Sequence, residues 1–99
     1  MPPLYVGRRK LGAHRGARRL WLEGTRLNAA GFTRGLAFTA TARPDGGMDL
    51  QLAAEGDRHV AGTDARPIID ILTHAFPETV AYVTVTFNRG HILACPEHA

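Results

Sequence analysis

The same plan occurs twice along this chain: a short apolar strand, a brief helical stretch, then a hairpin whose strands alternate apolar and polar residues. In the first copy, Arg18 to Glu23 places Leu20 and Leu22 on one face of a strand and Arg19, Trp21 and Glu23 on the other, so Trp21 is expected to be partly exposed. Arg26 to Ala30 is long enough for about one and a half helical turns, with Thr25 as candidate cap and Gly31 suited to a left-handed stop. Phe32 should then return to the core. Residues 36–43 and 48–52 alternate as two strands around Pro44-Asp45-Gly46-Gly47, which reads as a hairpin. In the second copy, Ile68 to Ile71 is a strand and Leu72 to Phe76 a single helical turn ended by Pro77. Val80 to Phe87 is the strongest strand signal in the chain, and Asn88-Arg89-Gly90 turns it into His91 to Ala94. Between the copies, Arg58 to Ala61 fits a short edge strand.

Each copy has too little apolar surface to stand alone. The expected fold is therefore mixed α+β and mostly β, with half-units 18–53 and 58–95 interlocked into one small barrel or sandwich. Ninety-nine residues, 44% hydrophobic, leave no room for a second core. A core this modest would gain from a ligand or from a homodimer partner. Cys95 is the only cysteine, and no apolar run reaches signal-peptide or membrane-spanning length, which points to a cytoplasmic protein without a membrane.

Residues 1–17 hold two Pro and three Gly with no sustained periodicity and read as a flexible or extended basic arm. Charge is lopsided along the chain. Residues 1–34 carry eight basic groups (Arg8, Arg9, Lys10, Arg15, Arg18, Arg19, Arg26 and Arg34) against Glu23 alone, whereas the remainder carries four basic and eight acidic groups. Such a basic third draws phosphate, and Tyr5 and Trp21 lie close enough in sequence to offer stacking surfaces. The helices are too short to lie along a major groove as a recognition helix does, so strands, turns or the arm would make the contact.

Catalytic and metal-binding patterns are thin. The chain contains no Ser, which removes serine nucleophiles. Asp70, His74 and Glu78 would line one face of a regular helix, but Pro77 interrupts it and Asp70 falls on a strand, leaving a solvated rim as the plainer account. His91, Cys95 and His98 are soft ligands within eight residues, yet a structural zinc needs a fourth ligand that the sequence does not offer. No glycine loop of a phosphate-cradling type is present. No catalytic residue, cofactor or metal ligand is therefore assigned.

The run Leu20-Trp21-Leu22-Glu23-Gly24-Thr25-Arg26-Leu27-Asn28-Ala29-Ala30-Gly31-Phe32-Thr33-Arg34-Gly35, followed by a Thr-rich strand and hairpin, resembles the SymE-type toxin family. The resemblance covers residues 18–53 and rests on the Ala-Gly-Phe-x-x-Gly core. It implies an AbrB-like swapped-hairpin fold, nucleic-acid binding and, for the toxin branch, RNA cleavage. Arg66-Pro67-Ile68-Ile69-Asp70-Ile71 and Gly90-His91-Ile92-Leu93, within residues 58–96, are more distantly similar to small phage-type proteins. The leading expectation is a non-enzymatic nucleic-acid-binding protein of bacterial or phage origin. It would contact phosphate, of DNA or RNA, through Arg8, Arg9, Lys10, Arg15, Arg18, Arg19, Arg26 and Arg34, with Trp21 beside them. The alternative is a phage-type inhibitor that binds a host protein complex, such as a CRISPR effector, through Asp57, Asp64, Asp70 and Glu78. An RNA-cleaving toxin comes third.

Overall fold

A computed structural model describes residues 2–97. In chain order the elements are β1 (Tyr5–Lys10), β2 (Gly12–His14), β3 (Ala17–Glu23), α1 (Thr25–Ala29), β4 (Ala37–Ala42), β5 (Met48–Leu52), β6 (Arg58–His59), β7 (Ala61–Gly62), β8 (Pro67–Thr73), β9 (Tyr82–Asn88) and β10 (His91–Pro96). Strand accounts for 53% of the chain and helix for 5%, so the mostly β expectation holds. Two antiparallel sheets form, one with six strands in the order β1-β9-β10-β5-β4-β6 and one with four in the order β2-β3-β8-β7. No closed barrel forms among the described residues.

Period-two alternation decides which side of each strand faces inward. Leu20 and Leu22 of β3, Ile69 and Ile71 of β8, Leu50 of β5, and Val83, Val85 and Phe87 of β9 are all at most 2% exposed and form one core with Phe32 and Phe38. Trp21 is 39% exposed on the outer side, as its position in the alternation requires. The core contains no buried polar side chain among the described residues.

α1 keeps the expected stop. Gly31 has φ +89°, the Gly31 amide donates to the Asn28 carbonyl (3.0 Å), and the Phe32 amide donates to the Leu27 carbonyl (2.8 Å). This is the left-handed Schellman ending, which satisfies the last carbonyls and folds Phe32 back over Leu27. The start differs from expectation: Gly24 is the cap residue and the Thr25 side chain makes no capping bond.

Two further expectations are corrected. The segment expected as a free arm over residues 1–17 is tied down across residues 5–14: β1 pairs with β9 along six residue pairs, from Tyr5 opposite Phe87 to Lys10 opposite Tyr82, and β2 pairs with β3. Tyr5 fastens this segment, with its ring 5.7 Å from Phe87 and the Arg26 guanidinium lying 3.2 Å above it. A Gly- and Arg-rich stretch gives a weak strand signal on its own, and the open edge of β9 supplies the partner. Nor does Leu72 to Phe76 form a helical turn. β8 runs on to Thr73, held by its ladder to β3, and Pro77 disfavours helical geometry at Phe76 while lacking an amide of its own.

The repeat is longer than the sequence shows. β1 passes into β2 through Leu11, and β6 passes into β7 through Val60; both residues are buried where the chain crosses from one sheet to the other. The Leu11 amide donates to the Ala81 carbonyl just before β9, and the Val60 amide donates to the Leu36 carbonyl just before β4. Each copy thus runs strand, crossing residue, strand, turn, strand and hairpin, over residues 5–52 and 58–96. The copies pair like with like, β3 with β8 and β5 with β10. Their leading strands are exchanged: β1 adds to the hairpin of the second copy, and β6 to that of the first.

Leu11→Ala is therefore expected to cost about 2–5 kcal/mol in urea unfolding, the range for a core leucine, whereas in a free arm it would cost nothing. Gly31→Ala should cost about 1–2 kcal/mol from backbone strain alone, because a Cβ there meets only Leu52 Cδ1 at an ordinary 3.5 Å.

Candidate nucleic-acid interface

β1 and β2 are the end strands of their sheets, and the turn from β2 to β3 extends the same edge. Arg15 and Gly16 fill that two-residue turn with φ +50° and +82°, the mirror-image geometry that matches strand twist. Four cations, Arg8, Arg9, Lys10 and Arg15, lie on this segment and Arg18 follows at the start of β3, which is paired on both sides; residues 8–18 contain no acid. Alternation sends Arg8 and Lys10 to the exposed side of β1.

Arg8 is the member of this group with a carboxylate partner. Its Nε donates to Glu97 Oε1 at 2.9 Å, its guanidinium lies 3.7 Å from the centre of the Tyr82 ring, and Thr84 Oγ1 donates to the other Glu97 oxygen at 3.2 Å. Arg9 donates to the Arg8 carbonyl and Arg18 to the Glu78 carbonyl, bonds that leave their charge uncompensated. No ion pair forms at Arg9, Lys10, Arg15 or Arg18 among the described residues.

The other basic residues singled out from sequence behave differently. Arg19 forks onto Asp70, with Nε to Oδ1 at 2.8 Å and Nη2 to Oδ2 at 2.7 Å, while its guanidinium sits 4.7 Å over the Trp21 ring. Arg34 donates to Asp64 at 2.8 Å. Arg26, from α1, lies over Tyr5, the first residue of β1. Two members of the acidic set, Asp64 and Asp70, are therefore already bonded, while Asp57 and Glu78 stand in separate loops. The lopsided charge of the sequence is interleaved in space, because Arg8, Arg19 and Arg34 each meet an acid from the distal part of the chain.

Compared with known proteins, the chain matches no family model, no curated protein and no solved structure. Its chemistry must be read from the residues themselves.

Sequence reasoning missed one cluster. On the outer side of the six-stranded sheet, Asp49 of β5 bonds His91 Nε2 through Oδ1 at 2.7 Å and accepts from Arg43 Nη1 through Oδ2 at 3.1 Å. The His91 bond, opposed by partial burial and reinforced by Arg43, holds Asp49 below its ordinary range. The signal lay in strand register, which sets Leu93 opposite Asp49 and so brings His91 to its diagonal. The soft-ligand group does not assemble: His91 and Cys95 are four residues apart on one strand, about 13 Å, and His98 lies outside the described residues. Asp70, His74 and Glu78 share no helix, and Asp70 is held by Arg19.

The Arg19 hydrogen bonds likewise hold the Asp70 carboxyl below its ordinary value, against a smaller opposing effect of burial. The unfolded chain therefore takes up a proton at Asp70 before the native chain does. The stabilisation this pair gives is present above the ordinary aspartate value, about 4, and is lost as pH falls through the lower native value. A carboxyl titration followed by NMR should place the Asp70 midpoint below that value, and Arg19→Gln should return it there.

Proposed function

We propose that this protein binds nucleic acid through phosphate contacts along the edge built by β1, β2 and the turn that follows. The observation that carries the reading is the acid-free run of five cations along β1, the β2–β3 turn and the start of β3, four of them without a carboxylate partner among the described residues. A phosphate backbone is a line of negative charges, and cations spread along a strand and its turn meet it without a recognition helix. Arg9, Lys10, Arg15 and Arg18 carry the binding. Arg8 adds to it when phosphate displaces Glu97, and Arg26 stacks on Tyr5 at the start of β1. Arg19 and Arg34 are already engaged by Asp70 and Asp64.

The exchange of leading strands between the two copies supports an interlocked, AbrB-like swapped-hairpin reading of the architecture, contained here within one chain. The alternative of an acidic protein-binding surface has weaker support, since two of its four residues are engaged by arginine.

The test is fluorescence anisotropy with labelled duplex DNA and single-stranded RNA from about 50 to 300 mM salt. For duplex DNA the slope of log affinity against log salt should be about −0.9 per phosphate contacted, hence roughly −3 to −4 for four cations. Charge reversal at Arg9, Lys10, Arg15 and Arg18 should weaken binding by more than about tenfold, and the Arg19→Gln variant by far less. Undetectable binding at the lowest salt, or full binding by the reversed variant, rejects the proposal. Shortened RNA in the same samples would instead favour the toxin reading.

A further inference from the structure

The two copies are related strand for strand, so every position on the basic edge has a counterpart at the opposite end of the molecule. Lys10 pairs with Tyr82 on one edge of the six-stranded sheet, and His59 pairs with Ala37 on the other; Arg9 opposite Val83 corresponds to Arg58 opposite Phe38. The crossing residues Leu11 and Val60 fix the same alignment, and both are buried. The same spacing sets Arg8 against Asp57, Arg15 against Asp64 and Arg18 against Pro67. Register in the two seams closes the symmetry, since Trp21 opposite Asp70 and Asp49 opposite Leu93 are each the pair through which the two-fold passes.

The frame is thus two-fold while its charge is not. Residues 8–18 carry five cations and no acid, whereas their counterparts 57–67 carry Asp57 and Asp64 against Arg58 and Arg66. Two charged groups of the second edge are also paired with residues of the first copy: Arg34 reaches across to Asp64 at 2.8 Å, and Arg66 reaches Glu23 at 3.3 Å. The end strands stand about 24 Å apart in the six-stranded sheet and about 14 Å apart in the four-stranded one, so the two edges are separate surfaces.

We infer that the duplicated chain keeps a single, one-sided nucleic-acid site, on the edge of its first copy, while the equivalent edge of the second copy has been neutralised. This rests on the nucleic-acid reading above and goes further by fixing stoichiometry and side. A protein with two like edges would bridge two strands or two segments of one strand; this chain engages one.

The experiment uses the full-length chain and a short labelled oligonucleotide at concentrations well above the dissociation constant. Titration should saturate at one oligonucleotide per chain. Arg58→Glu with Arg66→Glu should change affinity less than about twofold, against more than about tenfold for reversal of Arg9, Lys10, Arg15 and Arg18. In that reversed background, Asp57→Arg with Asp64→Arg should restore binding by rebuilding the site at the equivalent edge. Circular dichroism confirms that each variant is folded. Saturation at two oligonucleotides per chain overturns the inference while leaving the nucleic-acid reading intact, and so does loss of binding on reversal of Arg58 and Arg66. A folded charge-transfer variant that stays silent overturns the equivalence of the edges. No binding by the unaltered chain removes the reading itself.

Discussion

Two antiparallel seams, β3 with β8 and β5 with β10, are the contacts on which everything else rests, because each joins one copy of the repeat to the other. A single copy presents a strand and a hairpin with one apolar face and nothing to lay it against. Across the seams, Leu20 meets Ile71 and Leu22 meets Ile69 in one sheet, while Leu50 meets Ile92 in the other. The two sheets then close over a shared core in which these residues are at most 1% exposed. Exchange of the leading strands reinforces the arrangement: to pull the copies apart would also strip β1 from β9 and β6 from β4. The crossing residues Leu11 and Val60 must then be buried, since they are the points where an exchanged strand leaves one sheet for the other.

This frame also decides what becomes of the charges. Strand pairing between the copies brings early cations beside late anions, so Arg19 finds Asp70 and Arg34 finds Asp64. Exposed pairs of this kind contribute little to stability. Their larger effect is on which arginines remain available, because a guanidinium forked onto a carboxylate is a poorer ligand for any anion than one that is unpaired. Proximity of opposite charge thus sorts the basic residues into a compensated group and an uncompensated edge.

The strands with strong local signals were legible. Alternation located β4, β5, β9 and β10 and the turns between them, and Gly31 marked the end of α1. Three features were hidden for a common reason, namely that their cause is non-local. β1 and β2 are strands because β9 and β3 offer open edges, which no window of residues 1–17 reveals. Thr73 stays in β8 because β3 continues beside it, overriding a weak helical pattern that Pro77 had already cut short. The ion pairs depend on register between strands distant in sequence, so the list of basic residues could be written from the sequence, but not the division between paired and unpaired ones. Asp49 with His91 was missed for that same reason.

Charge on a sheet edge has a second use that bears on how the basic edge is interpreted. An end strand exposes unpaired amides and carbonyls, and charged side chains keep it from pairing with other chains. β1 is six residues long and needs such protection, whereas β6 and β7, two residues each, are guarded by their shortness. Either sign of charge would serve, and a mixture would serve as well, as Asp57 beside Arg58 illustrates on the opposite edge. Protection therefore accounts for the presence of charge on β1 but not for its uniform sign. Four of the five cations on residues 8–18 have no carboxylate partner among the described residues, and their mutual repulsion is not required by the fold; a line of phosphates, the proposed partner, would turn it into attraction.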